Sequence, residues 1–216
     1  DGHAIPLLGF GTWNLTPELA RTMVAEALRI GYRHIDTAWI YHNEAAVGDG
    51  IRDAIAAGHV AREDIWLTTK IWVAHFDREG LLAQARESAA SLGFTPDLLL
   101  LHWPKAEPSF AETLGALNEA KDQGLTRTIG LSNFPSIEWK QAQALSKAKL
   151  VTNQVEHHPY LSVGRLRDTA AELGSSITAW SPSTASDRLS RPKANATWLT
   201  GSSSLSESWA LNRLQV

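Results

Sequence analysis

The chain has 216 residues, of which 20% are charged and 44% are hydrophobic, and its formal net charge is −3. This length is sufficient to bury a large core, and the near-neutral charge gives no basis for binding nucleic acid or an anionic membrane. The sequence contains no cysteine, which excludes disulfides and thiolate metal sites.

Short apolar runs alternate with helical patterns over most of the chain. Seven runs are predicted to be strands, at residues 5–13, 34–37, 65–70, 98–102, 128–131, 151–156 and 177–180. Helices are predicted at residues 17–30, 44–57, 77–92, 109–122, 137–145 and 165–173. This alternation indicates parallel strands joined by right-handed crossovers, in either an open doubly wound sheet or a closed barrel.

Two features favour the barrel. Polar residues follow nearly every predicted strand, whereas a doubly wound sheet concentrates its site at one switch point. The first strand also lacks a Gly-x-Gly-x-x-Gly sequence, because Gly9 and Gly11 have no third glycine and do not open a helix. We therefore predict an α/β fold, namely a (β/α)8 TIM barrel that forms a single domain over residues 1–216.

The pattern changes after Pro182. Residues 183–196 contain Ser, Arg and Pro and show no clear apolar face where a seventh helix is expected. Residues 197–200 are a candidate short eighth strand, and residues 206–214 a candidate final helix. We predict an abbreviated C-terminal βα unit over this atypical region, and the alternative is that residues of the natural chain are missing from it.

Four polar residues at or after predicted strand ends form the candidate catalytic site. Asp36, Lys70 and His102 end three successive strands, and Tyr41 lies in the loop after Asp36. A phenol is a weak acid, so proton donation by Tyr41 requires a nearby cation such as Lys70, held in place by Asp36. His102 can hydrogen-bond a substrate carbonyl oxygen. Each residue alone could be a turn cap or a solvated strand end, but the combination indicates carbonyl protonation with a borrowed hydride donor.

Later strand ends carry groups suited to a nicotinamide cofactor. Ser132, Asn133 and Gln154 offer the hydroxyl and amide groups that a carboxamide needs. Trp180 offers an aromatic face on which the nicotinamide ring could stack. The glycine- and serine-rich run at residues 201–204, which precedes a predicted helix, is a candidate phosphate site.

Other aromatic and histidine residues allow further interpretations. Trp13 and Trp72 lie near strand ends and suggest a pocket for a flat ligand, with core filling as the alternative. His157 and His158 follow Glu156 and could suggest a metal site. Adjacent strand positions point to opposite faces, however, so we predict no bound metal.

Several segments resemble the aldo-keto reductase family. They are IPLLGFGTW at 5–13, GYRHIDTA at 31–38, TKIW at 69–72, LLHWP at 100–104, IGLSNF at 129–134, TNQVE at 152–156 and HPYL at 158–161. The matches span residues 5–182 in the order of the family. The segment YHNEAAVG at 41–48 is most similar to the bacterial 2,5-diketo-D-gluconate reductase group, whose members also reduce methylglyoxal.

The resemblance implies a (β/α)8 barrel that reduces aldehydes or ketones with NADPH. It implies Tyr41 as the proton donor, Lys70 and Asp36 as the pair that tunes it, and His102 as the residue that orients the substrate. The implied carboxamide ligands are Ser132, Asn133 and Gln154, with Trp180 replacing the stacking Tyr or Phe of the family. The implied substrate-pocket residues are Trp13 and Trp72.

The departures from the family lie after Pro182. Ser202, Ser203 and Ser204 resemble its phosphate loop, and Asn212 matches an asparagine near the adenine. A basic residue of that loop is replaced by serine, and Ser208 stands where an arginine is expected. These changes imply weak NADPH binding, relaxed choice between NADPH and NADH, or no turnover. The shortened region also implies an exposed barrel wall and an open substrate pocket.

The leading hypothesis is NADPH-dependent reduction of small dicarbonyls or keto sugars, with NADH as an alternative cofactor. A second hypothesis is a catalytically impaired barrel that binds a nucleotide or a partner, and a third is a metal-dependent hydrolase. No apolar run approaches the roughly 20 residues of a membrane span, and the first residues do not resemble a signal peptide. We expect a cytoplasmic monomer whose partner is a small carbonyl substrate, without nucleic acid or membrane partners.

Overall fold

The computed structural model describes residues 4–182 and 214–215 of the chain. The strands are β1 Gly9–Gly11, β2 His34–Asp36, β3 Trp66–Ile71, β4 Leu98–Leu101, β5 Thr128–Ser132, β6 Leu150–Glu156, β7 Ser176–Trp180 and β8 Leu214–Gln215. The helices are α1 Pro17–Arg29, α2 Glu44–Ala56, α3 Arg78–Leu92, α4 Phe110–Asp122, α5 Ser136–Leu145 and α6 Gly164–Leu173. The first strand is shorter than predicted, and β8 was not predicted as a strand. The other strands and helices match the predicted segments to within two residues at each end.

The strands form one sheet in which each of β1 to β7 is parallel to the next along the chain. The two-residue strand β8 is antiparallel to β1. The sheet is curled, because Gln154 on β6 lies 2.6 Å from Asp36 on β2, whereas a flat sheet would separate these strands by about 19 Å. The predicted α/β architecture of the (β/α)8 barrel is confirmed. The candidate strand at 197–200 lies outside the described residues, and so does the candidate final helix at 206–214 except for Leu214. Leu214 lies in strand β8, where it pairs with β1, so the helix prediction is wrong at this residue.

Side-chain caps account for the accuracy of the helix boundaries. The hydroxyl of Thr16 accepts from the backbone N–H of Leu19 at 3.3 Å, and the carboxylate of Asp77 accepts from Gly80 at 2.9 Å. Gly93 ends α3 in the left-handed region with a φ of 71°. These are the residue types that satisfy free N–H groups at a helix start and permit a sharp stop at its end.

The main hydrophobic core lies between the helices and the sheet. Its larger cluster includes Ile71, Leu99, Leu117 and Trp139, all with essentially no exposed surface. A second cluster packs α1 and α2 against the first three strands. Among the described residues, none of the helices is long and apolar enough to cross a bilayer.

Asp97 organises the edge of the sheet at the amino-terminal ends of the strands. One carboxylate oxygen accepts from the backbone N–H of Leu67 at 2.7 Å and from Arg62 at 3.0 Å. The other oxygen lies 3.3 Å from the guanidinium of Arg127. The side chain of Asp97 is 9% exposed, so these contacts are shielded from water and hold β3, β4 and the start of β5 together.

Replacement of Asp97 by asparagine is expected to lower the free energy of unfolding by about 2–4 kcal/mol, because two guanidinium groups lose a shielded partner. Urea denaturation followed by tryptophan fluorescence measures this change. The matched control is Asp53→Asn, which breaks an exposed ion pair with Arg21. The side chain of Arg21 is 53% exposed and that of Asp53 is 44% exposed. The control should change stability little, and equal effects of the two substitutions would contradict the assigned role of Asp97.

His34 is buried at the same edge of the sheet, at the start of β2. Its Nε2 lies 3.0 Å from the hydroxyl of Thr68, and the ring also hydrogen-bonds the backbone of Pro6. Burial, supported by the positive charge of Lys70, lowers the pKa of His34 to about 4, although the carboxylate of Asp36 opposes the change. The imidazole is therefore neutral in the folded protein at neutral pH.

The depressed pKa of His34 predicts acid sensitivity, since the unfolded chain binds a proton that the folded chain resists. The stabilisation is fully present above about pH 6.5 and is lost as the pH falls towards about 4, by up to about 3 kcal/mol in total. Urea titrations across this range, compared between the wild type and His34→Gln, should show a weaker pH dependence in the variant. Replacing the exposed His59 by glutamine serves as the control, and an identical pH dependence in wild type and His34→Gln would contradict the prediction.

Candidate active site

A buried ion pair lies at the carboxyl-terminal edge of the sheet. Lys70 Nζ donates to Asp36 Oδ1 at 2.5 Å and to the carbonyl oxygen of Thr37 at 2.8 Å. Lys70 and Asp36 are each 1% exposed. They are adjacent because β2 and β3 are parallel, so that their carboxyl-terminal ends lie at the same edge of the sheet. Asp36 pairs with Thr68, and Lys70 lies two residues further along β3.

Tyr41 lies next to this ion pair. Its hydroxyl shares a hydrogen bond with the Lys70 ammonium, which lies 5.3 Å from the centre of the tyrosine ring. Burial is the largest single influence on Lys70 and acts to lower its pKa, but the charge and hydrogen bond of Asp36, together with the contact with Tyr41, outweigh it. The pKa of Lys70 is therefore raised from its usual value, so the residue carries a positive charge beside the phenol at neutral pH.

The loop that carries Tyr41 is held by a buried polar network. Tyr41 ends a short 3₁₀ turn, and His42 follows it with a left-handed φ of 56°. Asn43 then donates its amide N–H groups to the carbonyl oxygens of Thr12 and Leu15 at 2.9 and 3.1 Å. Sequence reasoning did not identify Asn43, because its position before α2 suggests only a helix cap.

His102 faces the same space. Its ring lies edge-on to Tyr41, with centres 5.8 Å apart, and edge-on to Trp72 at 5.3 Å. Burial, followed by the positive charge of Lys70, lowers the pKa of His102 to about 3. The ring is thus neutral at physiological pH, and its buried Nδ1 has no hydrogen-bond partner among the described residues.

The predicted cofactor residues of β5, β6 and β7 form a connected group. Ser132 donates to the carbonyl oxygen of Gln154 at 2.9 Å, and Asn133 donates to that of His102 at 2.9 Å. The indole N–H of Trp180 donates to Asn133 Oδ1 at 2.9 Å. Asn133 adopts a left-handed φ of 65°, which asparagine tolerates better than most residues. The structure therefore brings these four side chains to the edge that holds Lys70.

The remaining predicted site residues are placed as follows. Trp13 lies in the loop after β1 and is 47% exposed, while Trp72 packs against His102. Ser202, Ser203, Ser204 and Asn212 lie outside the described residues. Of the residues considered as a metal site, His158 Nε2 is 3.3 Å from Glu156 Oε1. The described part of the chain holds no group of three His, Asp or Glu side chains that could bind a metal ion together.

Comparison with known proteins decides the family. A sequence profile described as the aldo/keto reductase family matches residues 7–195. The chain belongs to the aldo/keto reductase family. The resemblance drawn from the sequence motifs is therefore confirmed.

Individual proteins similar to this aldo/keto reductase family member are themselves named as reductases of small carbonyl compounds or as aldo-keto reductases. The chain is 40% identical over 181 residues to methylglyoxal reductase DkgB of Yersinia pestis, covering 82% of this chain and 66% of the relative. Its structure resembles an aldo/keto reductase from Brucella melitensis with a TM-score of 0.79 and 38% identity, covering 88% and 72% of the two chains. It resembles a Bombyx mori aldo-keto reductase solved with NADP with a TM-score of 0.77 and 34% identity, covering 82% and 63%. The chain thus spans about two thirds of the length of the curated relative.

Proposed function

We propose that this chain is a carbonyl reductase that converts small aldehydes or ketones to alcohols with NADPH. The observation that carries the proposal is the buried contact of Lys70 with Asp36 on one side and the Tyr41 hydroxyl on the other. A fixed cation beside a phenol stabilises phenolate, which is the condition for a tyrosine to act as a proton donor near neutral pH. The Yersinia pestis relative is named a methylglyoxal reductase, which supports small dicarbonyls as the substrate class.

The roles of the side chains follow from their geometry. Tyr41 would donate the proton to the carbonyl oxygen, and Lys70 would stabilise the negative charge left on its oxygen. Asp36 would keep the ammonium in place. His102 is neutral, so it can orient the same carbonyl oxygen by hydrogen bonding without competing as an acid.

The described residues fit a nicotinamide. No described residue donates to Gln154 Oε1, which leaves an acceptor for the carboxamide N–H. Ser132, the last residue of β5, donates to the backbone oxygen of Gln154, and Asn133 follows it in the chain. Trp180 lies next to Asn133 and offers its aromatic face. When bound there, the reduced nicotinamide would supply the hydride that these side chains cannot provide.

A direct assay tests the proposal. The protein is mixed with NADPH and methylglyoxal, and loss of the absorbance of reduced nicotinamide is followed, with a parallel reaction that lacks the carbonyl. Carbonyl-dependent loss supports the reductase, and repeating the assay with NADH measures the cofactor preference. No loss of absorbance, together with a change in tryptophan fluorescence on adding NADPH, would instead indicate a catalytically silent nucleotide-binding barrel.

A further inference from the structure

The second oxygen of the Asp36 carboxylate has a partner that the proton-transfer roles above do not use. Gln154 Nε2 donates to Asp36 Oδ2 at 2.6 Å, while Asp36 Oδ1 accepts from Lys70 at 2.5 Å. Gln154 is 3% exposed, so this bond is shielded from water. Asp36 therefore sits between a cation and an amide, each on a different oxygen.

The orientation of the amide follows from chemistry. A carboxylate only accepts hydrogen bonds, so the NH₂ group of Gln154 must face Asp36 and its oxygen must face away. That oxygen is the group available to the carboxamide of the cofactor. One side chain thus touches both the cofactor site and the charge pair beside Tyr41.

We propose that Gln154 is a positioning residue for the proton donor: its amide N–H holds Asp36 and offsets part of its negative charge, so that more of the Lys70 charge acts on Tyr41. This inference rests on the proposed function and extends it, because it assigns Gln154 a role in acidity besides holding the carboxamide. A donor that stabilises the carboxylate weakens the negative field at the phenol. Removing the donor therefore makes Tyr41 a weaker acid.

The test uses a readout that does not depend on turnover. The chain contains three tyrosines, so ¹³C labelling of tyrosine resolves three NMR signals, and Tyr41→Phe identifies that of Tyr41. Gln154→Leu is expected to move the titration of Tyr41 upward by about one pH unit. Gln154→Met keeps the length of the side chain but has no N–H donor, and should also move the titration upward.

Ser132→Ala is the matched control, because Ser132 belongs to the same cofactor group but its hydrogen bonds are to Gln154 and Asn133 and not to Asp36. This variant should bind NADPH more weakly and leave the titration of Tyr41 where it is in the wild type. The alkaline limb of the pH profile of kcat/KM should shift in the Gln154 variants alone, in parallel with the NMR titration.

The outcomes separate this inference from the proposed function. If Tyr41 titrates at the same pH in the wild type and in the folded Gln154 variants while NADPH affinity falls, Gln154 only holds the cofactor and the inference is overturned. If Gln154→Leu does not fold, as judged by circular dichroism, Gln154→Met decides. If the wild type fails to oxidise NADPH with any carbonyl, the proposed function is overturned, and the tyrosine titration still reports on the contact.

Discussion

Replacement of Tyr41 by phenylalanine is expected to lower kcat for carbonyl reduction about 10²–10⁴-fold, the usual contribution of a general acid. The substitution removes one oxygen and keeps the ring that packs against His102. Binding of NADPH should persist, because the Tyr41 hydroxyl hydrogen-bonds Lys70, which is not one of the predicted carboxamide residues. Steady-state kinetics with methylglyoxal, together with quenching of tryptophan fluorescence by NADPH, separates these two effects.

The control removes the hydroxyl oxygen of a different tyrosine. Tyr160 is 70% exposed in the loop after β6, and Tyr160→Phe should leave kcat within the error of the measurement. Activity retained by Tyr41→Phe at the wild-type level would reassign the proton donor. Loss of activity together with loss of cofactor binding would instead indicate that the substitution disrupts the edge of the sheet.

Replacement of Lys70 by methionine is expected to have the largest combined effect. It leaves the carboxylate of Asp36 buried without its cation, which costs about 3–5 kcal/mol in the free energy of unfolding. Reduction should also fall by several orders of magnitude, because the phenol of Tyr41 loses the charge that stabilises its ionised form. Chemical denaturation and the NADPH assay measure the two losses separately.

A double variant distinguishes the lost charge pair from a packing defect. In Asp36→Asn combined with Lys70→Met, no unpaired charge remains at the site, so the double variant should be more stable than Lys70→Met alone. It should nevertheless remain inactive. A double variant less stable than the single one would mean that methionine disturbs packing around β3, and the assignment of the cost to Asp36 would be wrong.

The strands and their ends were predictable from the sequence for a physical reason. Buried parallel strands are continuous apolar runs that stop where the chain reaches water or ligand, so the last residue of each run marks the site edge. Asp36, Lys70 and His102 were identified in this way, and their meeting follows from the parallel register. Helix limits were similarly marked by local residues such as Asp77 and Gly93.

The missed contacts depend on the curvature of the sheet and on long-range hydrogen bonds. Asn43 bonds to the loop after β1, and Asp97 bonds across three strands, which no local pattern reveals. Gln154 was identified as a cofactor residue, but its bond to Asp36 spans the interior between strands that are not neighbours. Such contacts are set by how tightly the sheet curls, a property of the whole fold.

The contact between Gln154 and Asp36 joins residues 118 positions apart in the chain. During synthesis on the ribosome, the first two strands emerge long before β6. The carboxylate of Asp36 therefore lacks the amide of Gln154 as a hydrogen-bond donor until most of the sheet has been synthesised. Contacts of such long range slow folding, because a large loop must close before they form. Nascent chains that end before residue 154 should therefore engage chaperones or proteases more readily than those that extend beyond it.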